Sequence, residues 1–390
     1  MMNFENLKNF MDSLTSWRIP GNSISICVEN KEMFKYQSGY ENIEQGTKMT
    51  EGKLFNIYSC SKPVTAIAAL QLMERGCFTL DTPIYDFIPE YRYMYAKKGK
   101  DIVKVKKPIT IKDLLTMTSG FTYNLNSEGI KKARKITDGK METLTVVKCM
   151  SEDVLEFEPG ENWHYGMSLD IMAGVAEAIT GKKFRCYVKE NIFEPLEMNN
   201  SHYHNESVLE NVSQQYRYVN SDNNDLVNLQ SVADNRADGK IINIGKSVEN
   251  FILGPEYDSG GAGMTASVED MSKFASALAN GGIGRNGERI ISEKSIETMK
   301  KNHLNEKQIK NFNWQQLKGY SYGLGVRTMI NPELEGIVGN IGEFGWGGAA
   351  GSTILVDTRL KLSMFYTHHM LNPQEEYYQP RLRNALYTSM

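Results

Sequence analysis

Strand-like segments near both ends of this 390-residue chain enclose a middle region that carries mostly helical patterns. Near the N-terminus, residues 23–28 and 33–40 have the character of strands, and 54–58 leads directly into a helical pattern over 61–75. After residue 255, an amphipathic helix is predicted at 268–279, strands at 322–329, 337–341, 352–356 and 360–367, and a closing helix near 375–389. The sequence therefore predicts an α/β (α+β) fold, with one lobe built from residues 1–76 and 256–390 and an inserted, mainly helical lobe over 77–255. The boundary between two such lobes is a natural place for a cleft.

Two polar stretches of the middle region are predicted as surface connections. Residues 92–107 are rich in Tyr and Lys, and residues 218–247 are rich in Asn and Asp. The helical patterns of the same region include 111–117, which Ser119-Gly120 ends, and 168–179, which Gly181 ends. We expect these long connections at the edges of the fold, since loops run over protein surfaces.

Charge and cysteine usage exclude several classes of protein. The chain carries 44 Lys+Arg against 47 Asp+Glu, a net charge of −3, so the overall charge gives no reason to expect a nucleic-acid or membrane partner. No basic segment followed by an apolar one opens the chain, which predicts a cytoplasmic protein without a signal peptide. The five cysteines are odd in number and scattered without metal-ligand spacing, which favours free thiols in a reducing compartment and indicates no metal site. No motif implies an organic cofactor.

The strongest local signal for chemistry is Ser59-Cys60-Ser61-Lys62, where a predicted strand meets a predicted helix. Residues three apart share one face of a helix, so Lys62 can hold the Ser59 hydroxyl in a hydrogen bond. A lysine that is desolvated enough to be partly neutral can also take the hydroxyl proton. By itself the pattern is common, and Ser59 as a helix N-cap with Lys62 as a solvated lysine is the alternative interpretation.

A second cluster, residues 159–168, places Trp163, His164 and Tyr165 at the start of a predicted helix. A phenol held beside an ammonium can shuttle protons, so Tyr165 is a candidate catalytic residue and an ordinary core tyrosine is the alternative. For His164 we expect a packing or turn role, because no Asp and Ser partners accompany it.

The third cluster is the glycine-rich run 345–351, just before the predicted strand 352–356. Glycines beside a strand allow a ligand or a second backbone to come close, and an exposed backbone N–H there can complete an oxyanion hole. A β-bulge or hairpin turn explains the same residues without a functional role.

Taken together and in order, these segments resemble the serine β-lactamase and penicillin-binding-protein superfamily. Residues 55–66 resemble its nucleophile segment, Ile109 to Phe121 its "I-T-I-R-H-L-L-T-H-T-S-G-L" stretch, and Ser259 to Met264 its later glycine-rich turn. The most similar branch is formed by the class C β-lactamases and the family VIII carboxylesterases derived from that fold. The resemblance implies a β-lactamase-like central antiparallel sheet flanked by helices.

The resemblance also implies roles for individual residues. Ser59 would be the acylated nucleophile, Lys62 its proton partner, and Tyr165 a general base or the acid for the leaving group. The backbone N–H groups of Ser59 and Ala349 would form the oxyanion hole. Which of Lys62 and Tyr165 takes the first proton stays open.

Two departures from the β-lactamase pattern bear on the substrate. Met167 stands where that pattern has an asparagine, and Trp346-Gly347-Gly348 stands in place of Lys-Thr-Gly. We expect these residues to contact the substrate, and no lysine remains in the third motif to bind a β-lactam carboxylate. The sequence therefore predicts a serine hydrolase that cleaves small carboxylic esters or transfers their acyl groups.

Two alternatives stay open. An amide-bond hydrolase of the same fold, such as a weak β-lactamase or a D-aminopeptidase or carboxypeptidase-like enzyme, would keep the same three catalytic residues. A non-catalytic scaffold on this fold is the other alternative, since a fold does not dictate a function. The sequence does not indicate the oligomeric state.

Overall fold

A computed structural model describes residues 2–219, 239–246, 252–334, 336 and 338–390 of the chain. Within them, eleven α-helices and sixteen β-strands are numbered in chain order. The helices are α1 (Glu5–Ser13), α2 (Ser61–Glu74), α3 (Ile111–Leu115), α4 (Glu128–Ile136), α5 (Thr143–Met150), α6 (Ser168–Thr180), α7 (Phe184–Val188), α8 (Val268–Ala279), α9 (Glu293–Met299), α10 (Glu306–Asn311) and α11 (Glu375–Thr388). The strands are β1 (Gly21–Val28), β2 (Lys31–Asn42), β3 (Thr47–Lys48), β4 (Leu54–Asn56), β5 (Tyr95–Lys98), β6 (Asp101–Lys104), β7 (Ser201–His202), β8 (Gln215–Val219), β9 (Lys240–Gly245), β10 (Thr265–Ser267), β11 (Tyr320–Tyr322), β12 (Arg327–Met329), β13 (Phe344–Gly347), β14 (Thr353–Asp357), β15 (Leu362–Thr367) and β16 (Met370–Leu371).

The central sheet has eight strands in the order β11-β12-β13-β14-β15-β1-β2-β3, and every neighbouring pair is antiparallel. The N-terminal strand β1 lies in its interior beside the C-terminal strand β15, with Ser23 opposite Thr367 and Val28 opposite Leu362. Both ends of the chain therefore build one sheet. The predicted fold class, a central antiparallel sheet flanked by helices, is confirmed.

The two faces of β1 explain the layers around this sheet. Successive strand residues point to opposite faces. Ile24 and Ile26 belong to an apolar cluster that also includes residues of α1 and α11. Ser25 and Cys27 point the other way and reach Ser272 of α8, at 2.8 and 3.1 Å. Helices thus cover the sheet on both faces, α1 and α11 on one and α8 on the other.

Helix α2 starts the functional region and is buried along most of its length. Residues 61–72 are all buried, and α2 packs against α6 and α7. A helix that is apolar on all sides needs such enclosure. Strand β4, which precedes it, pairs with β10, so the start of α2 is held in register by a second sheet, β4-β10-β7. No helix among the described residues is both long and apolar enough to cross a membrane.

The stretch 92–107, predicted as a surface connection, contains the β5–β6 hairpin. Its burial alternates: Met94 and Ala96 are buried, whereas Tyr93, Tyr95 and Lys97 are exposed. Lysine is depleted in strands generally, so the lysines of this stretch concealed the alternation of buried and exposed positions in the sequence. Residues 240–245, also predicted as part of a polar connection, form β9 and pair with β8. The rest of that connection, residues 220–238 and 247, lies outside the described residues.

Two predicted strands near the C-terminus differ in the structure. The predicted strand 322–329 is two short strands in the structure: it contains the last residue of β11 and the whole of β12, with a bend of the chain between them. Of the predicted strand 337–341, residue 337 lies outside the described residues and 338–341 are not a strand. Strand β13 lies a few residues later, at 344–347. Its glycine-rich sequence has low strand propensity. However, a Cβ at Gly345 would lie 1.9 Å from the Ile354 carbonyl oxygen, so glycine is what the pairing with β14 requires.

Candidate active site

The backbone in front of Ser59 holds this residue in an unusual position. Strand β4 passes into a short 3₁₀ turn, Tyr58–Cys60, and α2 follows at once. Tyr58 adopts a left-handed conformation with φ of 45°, and its hydroxyl donates to Gln215 Oε1 at 2.9 Å. Such strain costs about 1–3 kcal/mol in a bulky residue and persists only where the surroundings impose it. It is located directly before the predicted nucleophile.

Lys62 lies one turn further along and is completely buried. Its Nζ is 3.1 Å from Ser59 Oγ, 2.8 Å from Tyr123 Oη and 2.7 Å from the Gly261 carbonyl oxygen. Burial lowers the pKa of Lys62 to about 7, against the opposing field of Asp170. Near neutral pH the side chain is therefore partly a neutral amine with a free lone pair.

Asp170, on α6, is a buried carboxylate close to this lysine. Its Oδ1 accepts hydrogen bonds from Tyr257 Oη at 3.0 Å and Ser259 Oγ at 2.6 Å. Burial raises the pKa of Asp170, whereas these donors, the Lys62 charge and the Gly261 N–H lower it. One residue, Gly261, thus connects the carboxylate to the lysine: its N–H faces Asp170 and its carbonyl faces Lys62. A Cβ on Gly261 would lie 2.4 Å from Asp170 Oδ2, which explains the glycine.

Tyr165 lies beside the serine and the lysine. Its hydroxyl oxygen accepts a hydrogen bond from Trp346 Nε1 at 3.1 Å, and Lys62 Nζ lies 4.6 Å from the centre of its ring. Burial raises the pKa of Tyr165 well above its usual value, although hydrogen bonds with Ser59 and Trp346 lower it. Tyr165 is therefore a neutral phenol at physiological pH, unlike the partly neutral amine of Lys62.

The turn after β13 brings a backbone amide toward Ser59. Gly347, Gly348 and Ala349 line the same cavity as the serine. A Cβ on Gly348 would lie 2.2 Å from the Ile57 carbonyl oxygen, so only glycine lets the turn pack against the segment that carries Ser59. Within the described part of the chain, the Ala349 N–H donates to no backbone acceptor. Donors of this kind stabilise negative charge on a substrate oxygen.

An open cavity collects most of the predicted residues. Ser59, Tyr165, Trp346 and the 347–349 turn line it, and Lys62 lies beneath Ser59. Met167 does not line it: this predicted substrate contact is buried in the core at the start of α6. The reason is that α6 begins there and turns the side chain into the packed interior. His164 is exposed and is not part of the wall.

The structure adds residues that sequence reasoning missed. Tyr123 and Trp314 line the cavity, and so does Glu375 at the start of α11. Asp170 had a signal, since it is the one carboxylate in the apolar run 168–176 of a buried helix. Tyr123 and Trp314 had none, because each comes from a loop whose path is set by tertiary packing.

Cys60, adjacent to Ser59, is excluded as a competing nucleophile. It is fully buried, and its Sγ points to the Trp346 carbonyl at 3.5 Å. Burial raises the pKa of the Cys60 thiol well above its usual value. A thiol that stays protonated is a poor nucleophile, so the half-buried hydroxyl of Ser59, which lines the cavity, is the group available to a substrate.

Solved structures share this fold over nearly its full length. EstCE1, a hydrolase with promiscuous acyltransferase activity, matches with a TM-score of 0.78 at 20% identity, covering 98% of each chain. A family VIII carboxylesterase matches with a TM-score of 0.76 at 20% identity, covering 99% of this chain and 97% of the other.

Sequence comparison identifies the family. The Beta-lactamase family model matches residues 5–387, and the chain therefore belongs to the beta-lactamase family. Among curated proteins, esterase EstB of Burkholderia gladioli is 26% identical over 364 residues, which is 91% of this chain and 87% of EstB. The family resemblance drawn from the sequence motifs is confirmed.

Proposed function

We propose that this protein is a serine hydrolase that cleaves small carboxylic esters through an acyl-enzyme on Ser59. The observation that carries the proposal is the contact between the Ser59 hydroxyl and a completely buried lysine, 3.1 Å apart, whose pKa is lowered to about 7. A lysine with this pKa can act as a general base at neutral pH. The names of the relatives, esterase EstB and a family VIII carboxylesterase, support the same class of substrate.

Lys62 is the better candidate for the first proton transfer. A neutral amine has two N–H donors and one lone pair, and the Gly261 carbonyl can only accept. The lone pair therefore faces one of the two hydroxyls, Ser59 or Tyr123. Tyr165, with its raised pKa, holds its proton and suits the role of acid. In acylation, Ser59 loses its proton to Lys62 while its Oγ bonds to the ester carbonyl carbon.

The tetrahedral intermediate then collapses. The backbone N–H groups of Ser59 and Ala349 stabilise its oxyanion, the ester C–O bond breaks, and the leaving alcohol takes a proton from Tyr165. Lys62 returns its proton to Tyr165. Water then attacks the acyl-enzyme by the same route, releasing the acid and restoring Ser59.

The composition of the cavity wall favours esters with apolar groups. Trp314, Leu317 and Trp346 form much of it, together with Tyr123 and Tyr165. No lysine stands at the third motif, which makes a β-lactam carboxylate an unfavourable ligand. An alcohol that enters in place of water would give acyl transfer, the additional activity named for EstCE1.

The arrangement of the cleft supports the two-lobe division as a proposal. Tyr123 and Tyr165 come from the segment 77–255, whereas Ser59 and Trp346 come from the segments 1–76 and 256–390. The partner we propose is a small ester. The cytoplasmic location and the lack of a nucleic-acid or membrane partner stay predictions from the sequence.

Hydrolysis of p-nitrophenyl butyrate tests the proposal. Ser59→Ala is expected to lower kcat at least about 10³-fold, as removal of a nucleophile does in other serine hydrolases. Ser13→Ala, on the exposed side of α1, is the matched control and should keep wild-type rates. Intact mass after brief exposure to substrate should show one added butyryl group. Peptide mass analysis after digestion should locate that group on the peptide that contains Ser59. Equal rates for Ser59→Ala and wild type would refute the nucleophile, and with it the proposed function.

A further inference from the structure

One carboxylate in the cavity wall has no part in the reaction described above. Glu375, the first residue of α11, lines the same cavity as Ser59. Its Oε2 accepts a hydrogen bond from Gln316 Nε2 at 2.7 Å. Its Oε1 lies 3.1 Å from the position that a Cβ on Gly347 would occupy. The glycine therefore leaves this second oxygen free to approach the backbone next to the oxyanion turn.

A buried arginine organises the residues around this carboxylate. Arg383, also on α11, donates to Gln379 Oε1 at 3.3 Å and to the Gln316 carbonyl oxygen at 3.0 Å. Gln316 in turn holds Glu375, and both glutamines line the cavity. The direct hydrogen bond to Glu375 Oε2 therefore comes from a neutral amide, while the arginine acts on the carboxylate through intermediates. Such a chain of contacts fixes the position of Glu375 without neutralising it.

The electrostatics of Glu375 show that its charge is incompletely compensated. Burial raises the pKa of Glu375 to about 7, against the hydrogen bond from Gln316 and the fields of Arg327 and Arg383, and the neighbouring Glu376 raises it further. A cation placed beside the carboxylate would favour its ionised form, and the negative charge would in turn stabilise the bound cation. The aromatic rings that share the cavity also attract cations through their faces.

We propose that Glu375 is a specificity determinant that makes the cleft prefer esters carrying a protonated amine and disfavour esters carrying a carboxylate. This inference rests on the proposed function, because it concerns which ester reaches Ser59. It differs from an expectation of purely apolar substrates, because the cavity wall beside the third motif, which has no lysine, carries the carboxylate of Glu375. A negatively charged group would meet Glu375 as a like charge in a partly desolvated cavity.

The test compares matched esters in the full-length protein and in Glu375→Gln. On the acyl side, the esters are p-nitrophenyl 6-aminohexanoate, its neutral counterpart p-nitrophenyl heptanoate, and the anionic mono-p-nitrophenyl adipate. On the alcohol side, 2-(dimethylamino)ethyl butyrate, whose amine is protonated at neutral pH, is compared with 3-methylbutyl butyrate. In at least one series, the wild-type preference for the cationic over the neutral ester should be about 10–100-fold in kcat/KM, the range of a charge-assisted hydrogen bond.

Glu375→Gln should remove most of that preference and raise kcat/KM for the adipate ester. For the neutral esters, its kcat/KM should stay within about two-fold of the wild-type value. Glu376→Gln removes the same charge one residue along α11, at a side chain that does not line the cavity, and should change the preference less than two-fold. Glu375→Asp keeps the charge and should retain part of the preference. Thermal unfolding of each variant checks that the fold is intact. Equal loss of cationic and neutral ester turnover in Glu375→Gln would overturn the inference.

A binding experiment separates this inference from the proposed function. Hexylamine, a cation at pH 7.5, and 1-hexanol are titrated calorimetrically into the wild type and Glu375→Gln. The wild type should bind hexylamine about 10-fold more tightly than hexanol, and Glu375→Gln should bind both equally. Equal affinities in the wild type would overturn the inference even if esters are cleaved. Tighter hexylamine binding without any ester turnover would support the cation site and refute the hydrolase.

Discussion

Replacing Asp170 with asparagine is expected to move the pH profile of the reaction without touching a reacting atom. Asp170 acts on Lys62 through its charge and through Gly261. Asparagine has nearly the same shape, and its Oδ1 can still accept the hydrogen bonds from Tyr257 and Ser259, whereas its amide nitrogen cannot accept one from the Gly261 N–H. The substitution therefore removes a negative charge that raises the pKa of Lys62, together with one hydrogen bond from the backbone.

The size of the shift follows from the pKa of Lys62. It is about 7 in the wild type, and an opposite charge nearby contributes about 1–3 units to such values. Because one residue separates the two side chains, we take the lower end, which places the pKa of Lys62 in the variant near 6. At pH 6 the neutral fraction of Lys62 then rises from about one tenth to about one half, a roughly five-fold gain.

The assay is kcat/KM for p-nitrophenyl butyrate from pH 5 to 9, since this ratio reports the ionisations of the free enzyme. The wild-type acid limb should have a midpoint near 7, where Lys62 loses its proton. Asp170→Asn should move that midpoint down by about one unit and be the faster enzyme at pH 6. Above pH 8 it should be equal or slightly slower, because a weaker base transfers the proton less readily.

If the midpoint of the acid limb in Asp170→Asn is unchanged or lies at higher pH, Lys62 is not a base whose pKa is raised by Asp170. Thermal unfolding and KM serve as controls, since a damaged fold lowers activity at every pH alike. The shape of the profile, rather than its height, decides the question.

Three further substitutions test other parts of the site. Lys62→Met should abolish activity yet raise Tm at pH 7 by about 2–4 °C, because it removes a buried amine. Folding lowers the pKa of that amine from about 10.5 to about 7, so the wild type loses stability as pH falls through this range. The difference in Tm between variant and wild type should therefore be smaller at pH 9 than at pH 7. A difference that is larger at pH 9 would contradict the reasoning. Tyr123→Phe removes an acceptor that stabilises the charged form of Lys62, so the acid limb of the pH profile should move to lower pH. Its kcat at pH 8 should fall up to about 10-fold. A pH-rate series measures both effects, with KM as the control. Trp346→Phe keeps a ring but loses the donor to Tyr165; kcat should fall about five-fold, and an unchanged kcat in steady-state assays would show that this bond is dispensable.

Much of the fold could be predicted because its signals are local. The alternating Ser and Ile residues of β1, the short apolar runs of β14 and β15, and the longer apolar run of α2 are local patterns that indicate the type of each element. Strand β13 escaped prediction because its glycines carry no strand signal until β14 is placed opposite. The β5–β6 hairpin escaped because lysines at its exposed positions concealed an alternation that depends on which side faces the protein.

The catalytic candidates divide in the same way. Ser59 and Lys62 are three residues apart, so the helix itself brings them together, and the sequence alone is sufficient to pair them. Met167, two residues after Tyr165, was expected to contact the substrate, but its side chain is buried in the core and does not line the cavity, since the sequence does not show which way the start of α6 faces.

What the sequence determined, then, is the set of groups joined by short-range geometry: the serine, its lysine, and the glycine turn that exposes an amide. Only the tertiary structure decided their chemical state. The pKa of Lys62 depends on burial beneath Ser59 and on Asp170, which lies 108 positions away in the chain. Glu375 reaches the cavity because the fold brings the first residue of α11 next to Gly347, 28 positions earlier in the chain. Desolvation and long-range charge are properties of the assembled interior, and no local pattern of residues records them.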